Sequence, residues 1–166
     1  IKTNLDDIAS FPVGIKSTST DNNIFMGGSA ANVHATGDEN VVLGYQAALL
    51  ATNILDCVII GNRAFATGTT TGESVIIGNG AAVNVGTETV AIGSGTSNTT
   101  GSFGTSVGRR AGGSLYTGTG GKNSCFGHSS GIPILDSSAS SHANCCAFGY
   151  QSEFTKNLNN QISIGY

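Results

Sequence analysis

Apolar and polar positions along this chain fall into a beat. A triplet of the form apolar–x–apolar, then glycine, two variable residues and a small residue, recurs nine times, with the glycines at Gly27, Gly44, Gly61, Gly78, Gly93, Gly108, Gly127, Gly149 and Gly165. Successive glycines are 17, 17, 17, 15, 15, 19, 22 and 16 residues apart. Counted from each glycine, position −1 is apolar throughout, from Met26, Leu43 and Ile60 to Phe126, Phe148 and Ile164. Position −3 begins Ile24, Val41, Val58, Val75, Val90 and turns more polar later. Position +3 is always small: Ala30, Ala47, Ala64, Ala81, Thr96, Ala111, Ser130 and Ser152.

Side chains alternate across a strand, so positions −3 and −1 share one face. That shared face is expected to be the core. Glycine then permits a turn that a Cβ would obstruct, and a dozen or so residues return the chain to the next unit. One unit cannot bury its apolar face alone, whereas stacked units share a continuous core. The pattern therefore predicts an all-β, repeat-built β-roll or β-solenoid of nine rungs, about 40 Å long at roughly 4.8 Å per stacked strand. Tyr45 to Leu55 is rich in Ala and Leu and would suit a helix. It occupies a return segment that other units fill with non-helical sequence, and is read as turn and return strand. Residues 1–21 form an N-terminal connecting segment, and 22–166 are the repeats, with insertions at 112–122 and 131–144.

The units "NVVLGYQA", "SVIIGNGA", "TVAIGSGT", "TSVGRRAG" and "QISIGY" resemble the head repeats of YadA-type trimeric autotransporter adhesins. They resemble still more closely the repeats of phage tail fibres that precede a cleaved C-terminal intramolecular chaperone. The resemblance spans about Asn22 to Tyr166. It implies a parallel homotrimer, an extracellular setting on a virion tail fibre or bacterial surface, and attachment to a cell-surface glycan or protein receptor. Position −2 reads Phe25, Val42, Ile59 and Ile76, then small residues. Exposed apolar stripes mark interfaces, so this second apolar column is expected to be the intersubunit surface.

Composition narrows the function classes. Only 10% of the 166 residues are charged and 25 are Gly, against about 25% charged in ordinary domains. Net charge is −3, and the seven Lys and Arg are dispersed except for Arg109-Arg110. Nucleic-acid binding, which requires a concentrated basic surface, is excluded. No apolar run reaches the roughly 18 residues of a membrane span, so this segment is not expected to insert in a membrane. A start at Ile1 without a signal peptide suggests a processed or excised piece. Cys57, Cys125, Cys145 and Cys146 form no C-x-x-C pair, and are read as free, small, buried hydrophobes rather than zinc ligands.

Candidate chemistry is sparse. "GTGGKNS" at 118–124 lacks the phosphate-loop spacing. The single hexapeptide-like stretch near Ile77 is out of step with acyltransferase coils that would use His128 or His142. Asp38, Asp56 and Glu73 line one edge; a polysaccharide depolymerase tailspike would need two carboxylates facing across a groove. A row at position +9 (Thr36, Asn53, Thr70, Thr87, Ser102, Thr117, Asp136) offers an ice-binding β-solenoid as a rival. The reading adopted is non-enzymatic attachment, with no cofactor and no metal. Irregular loops on a rigid frame carry recognition, which selects Leu115, Tyr116, Ile132, Ile134 and His142. The residue after each glycine (Tyr45, Arg109, His128, Tyr150, Tyr166) is a further candidate, with Tyr150 the foremost.

Overall fold

The computed structural model describes residues 15–18, 22–31, 37–68, 70–82, 86–96, 103–112, 121–133, 143–154 and 159–165. Every regular element among them is a strand: β1 (Ile15–Thr18), β2 (Asn23–Met26), β3 (Val41–Leu43), β4 (Asn53–Leu55), β5 (Val58–Ile60), β6 (Thr70–Gly72), β7 (Val75–Ile77), β8 (Val90–Ile92), β9 (Thr105–Val107), β10 (Ser124–Phe126), β11 (Ile132–Pro133), β12 (Cys146–Phe148), β13 (Glu153–Phe154) and β14 (Ile162–Ile164). The nine apolar triplets become nine strands of one ten-stranded sheet, ordered β1-β2-β3-β5-β7-β8-β9-β10-β12-β14. All nine are parallel and paired like with like, as in Val41↔Val58 and Ile60↔Ile77. The tenth, β1, runs antiparallel to β2. Return strands pair separately, β4 with β6 and β11 with β13. The chain is a β-solenoid. Tyr45 to Leu50 is turn and Asn53–Leu55 is return strand, as the neighbouring repeats require.

Glycine sets the contact between coils. From Gly27 to Gly149 the repeat glycines have φ between 105° and 138°, a region that L side chains rarely enter. A Cβ on Gly61 would strike the carbonyl of Gly78, and the same holds at each step. The glycine N–H donates to the −1 carbonyl of the preceding coil, for example Gly61 to Leu43 at 2.8 Å. Position +2 donates likewise, and position +4 donates to the following coil, as in Ala48 to Ala64 at 2.8 Å. The turn closes with the +3 N–H on the glycine carbonyl, as Ala47 on Gly44 at 3.3 Å.

The two faces are the reverse of the expected assignment. Position −2 is the core: Val42, Ile59, Ile76, Ala91, Cys125 and Ala147 are fully buried, and Phe25 and Ser106 nearly so. Positions −3 and −1 are half-buried or exposed, with Met26 40%, Phe148 43% and Ile164 80% accessible. The physical reason is which side of the strand the return path covers. Each coil encloses the −2 side chain together with the +3 residue, which is buried in every rung from Ala30 to Ser152. The return path adds Ile54, Phe65 and Phe154 to the same interior, all fully buried, so the −2 side of the strand is the packed one.

A second buried column supports the corner. Position −4 carries Asn23, Asn40, Cys57, Ser74, Thr89, Asn123 and Cys145, all buried. The Asn40 N–H donates to Asn23 Oδ1 at 2.9 Å, and the Cys57 N–H to Asn40 Oδ1 at 3.0 Å. Asn40 Nδ2 donates to the Ile54 carbonyl at 2.8 Å, which ties the strand to the return path. The Thr89 and Cys145 N–H groups use Ser74 Oγ and Asn123 Oδ1 in the same way. These bonds satisfy buried polar groups that would otherwise destabilise the corner.

Two glycines provide a matched test. Gly61→Ala is expected to cost more than about 3 kcal/mol, because left-handed strain and a backbone clash coincide. At Gly72 an added Cβ meets nothing closer than 3.7 Å, and Gly72→Ala is expected within about 0.5 kcal/mol of the parent. Denaturant unfolding followed by circular dichroism checks the pair; equal costs would remove glycine stacking as the basis of the coil.

Candidate functional site

The feature that the fold leaves unsatisfied is the outer face of the large sheet. It is three residues wide and nine parallel strands long, roughly 10 Å by 40 Å from strand spacings. Positions −3 and −1 give it Val41 and Leu43, Val58 and Ile60, Val75 and Ile77, Val90 and Ile92 in consecutive coils. No charged residue stands at either position in any coil. In the later coils the face turns aromatic, with Phe126 and Phe148 stacked at 5.4 Å and 4° between planes. Contiguous exposed apolar surface is the kind of feature that interfaces use.

Polar edges flank this face on both sides. On one side, the residue after the glycine forms a ladder in the late coils. The Arg109 guanidinium lies 3.1 Å from His128 Nε2. His128 Nδ1 is a buried atom with no hydrogen-bond partner. His128 in turn stacks on Tyr150 at 5.3 Å and 17°. Tyr45 and Tyr150 are exposed. On the other side, position −5 turns the corner in a left-handed conformation in all nine coils, with φ from 49° to 64°. Glu39, Asp56, Glu73 and Glu88 occupy it in consecutive coils, all exposed.

The sequence-selected residues separate in the structure. Tyr150 belongs to the ladder beside the apolar face, next to His128 and Arg109. Leu115, Tyr116, Ile134, His142 and Tyr166 lie outside the described residues, as do most of the two insertions and the side chain of Ile132. The backbone of Ile132 is in β11, paired with Glu153 of β13. The described residues that bound the undescribed parts of the two insertions, Gly112 and Gly121, and Pro133 and Ala143, lie outside the strands of the large sheet. Of the +9 row, Thr36, Ser102, Thr117 and Asp136 lie outside the described residues. Asn53 pairs with Thr70, but the next coil is shorter and brings Thr87 against Gly72 instead.

Asp38, Asp56 and Glu73 do line one edge, all exposed. Among the described residues, no cluster of three or more His, Cys, Asp or Glu is placed to hold a metal ion. No helix among them is long and apolar enough to cross a membrane. Sequence reasoning missed the −4 polar column and the −5 corner. Both were visible as fixed offsets: a small hydrogen-bonding residue at −4, and Asn, Asp or Glu at −5 in most units. No protein-family model, curated protein or solved structure matches the chain.

All four cysteines are free, with Cys57, Cys125 and Cys145 buried and Cys146 half-buried. Burial pushes the Cys57 thiol up. It pushes Cys125 from 9.0 to about 12, with the neighbouring Cys145 and Cys146 adding to the shift. A raised folded-state value means stability that is intact below the unfolded value of 9.0 and lost as pH climbs toward 12. The unfolding midpoint is therefore expected to fall across that alkaline window. Cys125→Ala, which copies Ala91 and Ala147 at the same position, is expected to flatten the fall. An unchanged slope in the variant would assign the alkaline loss to other groups.

Proposed function

We propose that the chain is a non-enzymatic segment of a trimeric fibre or adhesin that serves attachment to a cell surface. One observation carries the reading: the long, uncharged, apolar outer face of a sheet whose inner face is already packed. A single coil has nothing left with which to cover it. Copies of the same chain bring the matching surface in the matching register. The sequence resemblance to fibre and adhesin heads points to three parallel copies about a common axis. The intersubunit surface is then the −3/−1 face rather than the −2 column.

The nine rungs act as scaffold, and recognition is assigned to the insertions at 112–122 and 131–144. An exposed apolar or aromatic group there would stack on a sugar or meet a protein receptor. Low charge and continuous backbone pairing suit an extracellular rod.

Light scattering on the purified chain is expected to give about three times 16.7 kDa. Val58→Glu with Ile60→Glu places two buried charges at the proposed axis and is expected to give monomer with unchanged circular dichroism. Tyr116→Ala with His142→Ala is expected to abolish cell attachment and leave the trimer intact. A monomeric parent chain would end the trimer reading, and undiminished attachment by the second variant would move recognition back to the rungs.

A further inference from the structure

Charged side chains are sorted onto opposite edges of the exposed sheet. Among the described residues, carboxylates occupy the corner before the strand: Glu39, Asp56, Glu73 and Glu88 at position −5, with Asp38 beside Glu39. Glu153, on β13, is the one described acid elsewhere. Arginines occupy the turn after the strand, at positions +1 and +2: Arg63, Arg109 and Arg110. No Asp or Glu stands at +1 or +2 in any coil. On the acid corner the one base is Lys122, two coils beyond Glu88. All of these side chains are exposed.

Within one chain the two edges cannot neutralise each other. The strand and its flanking residues hold them roughly 15 Å apart at about 3.3 Å per residue, beyond the ~8 Å over which exposed charges act at physiological salt. The acid corner also repels itself. Neighbouring coils are bonded there, with the Glu73 N–H on Leu55 at 2.8 Å and the Glu88 N–H on Gly72 at 2.8 Å. Like charges therefore recur at about 4.8 Å. The isolated rod thus carries an unrelieved acidic edge, an unpaired arginine edge and an uncovered apolar face between them.

Symmetry decides which arrangement relieves all three. Copies related by an axis along the rod set the acid corner of each against the arginine edge of the next, at the same height. Copies packed antiparallel, face on face, set acid on acid. In the parallel case Arg63 stands level with Asp56 of the neighbour, both in the coil of Gly61, with Glu39 and Glu73 one coil to either side. Arg109 and Arg110 stand one coil beyond Glu88, about 4.8 Å away and within reach of a long side chain.

We infer that ion pairs between this acid corner and the arginine edge of a second copy of the chain fix the parallel orientation and register of the assembly. The apolar face supplies the affinity, and the charges select among the ways of covering it. This rests on the self-association proposed above and adds to it a specificity element that the apolar face lacks.

Charge reversal on the full chain tests it. One variant carries Asp56→Lys, Glu73→Lys and Glu88→Lys. Lysine is tolerated there, since Lys122 holds the same corner with φ 64°. A second carries Arg63→Glu, Arg109→Glu and Arg110→Glu, and a third carries all six changes. Assembly is read by light scattering across a dilution series at about 20 mM and about 500 mM salt, with circular dichroism confirming that each variant folds. Either single-edge reversal is expected to weaken association about tenfold or more at low salt, and much less at high salt. The six-fold variant restores opposite charges across the interface and is expected to return to within about threefold of the parent. Single reversals that assemble like the parent, or a six-fold variant no better than its halves, would overturn the inference while leaving self-association standing. An antiparallel assembly seats like edges together and would give that neutral result. A parent chain that is monomeric at both salt concentrations would overturn the inference and the reading beneath it together.

Discussion

The stacking of glycine backbone directly upon glycine backbone governs this molecule. From Gly27 to Gly149, each repeat glycine leaves its strand through a φ that a Cβ would strain, at a separation from the next coil that a Cβ would close. That approach permits the +3 residue to tuck inside, the +2 and +4 amides to bond to neighbouring coils, and the strands above and below to pair like with like. Removing one such contact is expected to loosen a whole coil, because the amide bonds of positions 0, +2 and +4 to neighbouring coils depend on the same approach.

A narrow coil has consequences for which residues it can bury. The interior takes the −2 strand side chain, the small +3 turn residue and the −4 side chain, with Ile54, Phe65 and Phe154 added from the turns and return strands. The −3 and −1 side chains point to the other face, where they line up into an apolar sheet surface. On the proposed self-association, covering this face would add hydrophobic stabilisation to that already supplied by the core of the single chain. Among the described residues, most charged side chains stand at the corners where the sheet face ends.

Most of the architecture was legible in the sequence because a repeat multiplies a weak signal. One "IG" with a nearby Ala means little; nine in register defined strands, glycines and small turn residues at the correct positions. The inner and outer faces were not legible from alternation, which gives two faces without saying which is inside. Residue size gave a partial signal: position −2 shrinks to Ala91, Ser106, Cys125 and Ala147 where −1 stays at Ile92, Val107, Phe126 and Phe148, although Val42, Ile59 and Ile76 are just as buried at −2 in the earlier coils. For the candidate site, Tyr150 emerged as a ladder residue because its partners His128 and Arg109 are 22 and 41 residues away in sequence, adjacent only once the coils are stacked. Leu115, Tyr116, Ile134 and His142 sit where the beat lengthens, where the repeat pattern has no column to assign them to.

The central claim is that the −3/−1 face lies against copies of itself. Dipolar spin-label spectroscopy on a label at position 60, compared with one at position 53 on the return side, addresses it most directly. Facing sheets pack about 10 Å apart, so labels at 60 are predicted to couple strongly to one another and to lose that coupling on dilution with unlabelled chain. Labels at 53 are predicted to lie farther apart. Absent coupling at 60, or a shorter separation at 53 than at 60, would contradict the assignment of the apolar face to the assembly interior.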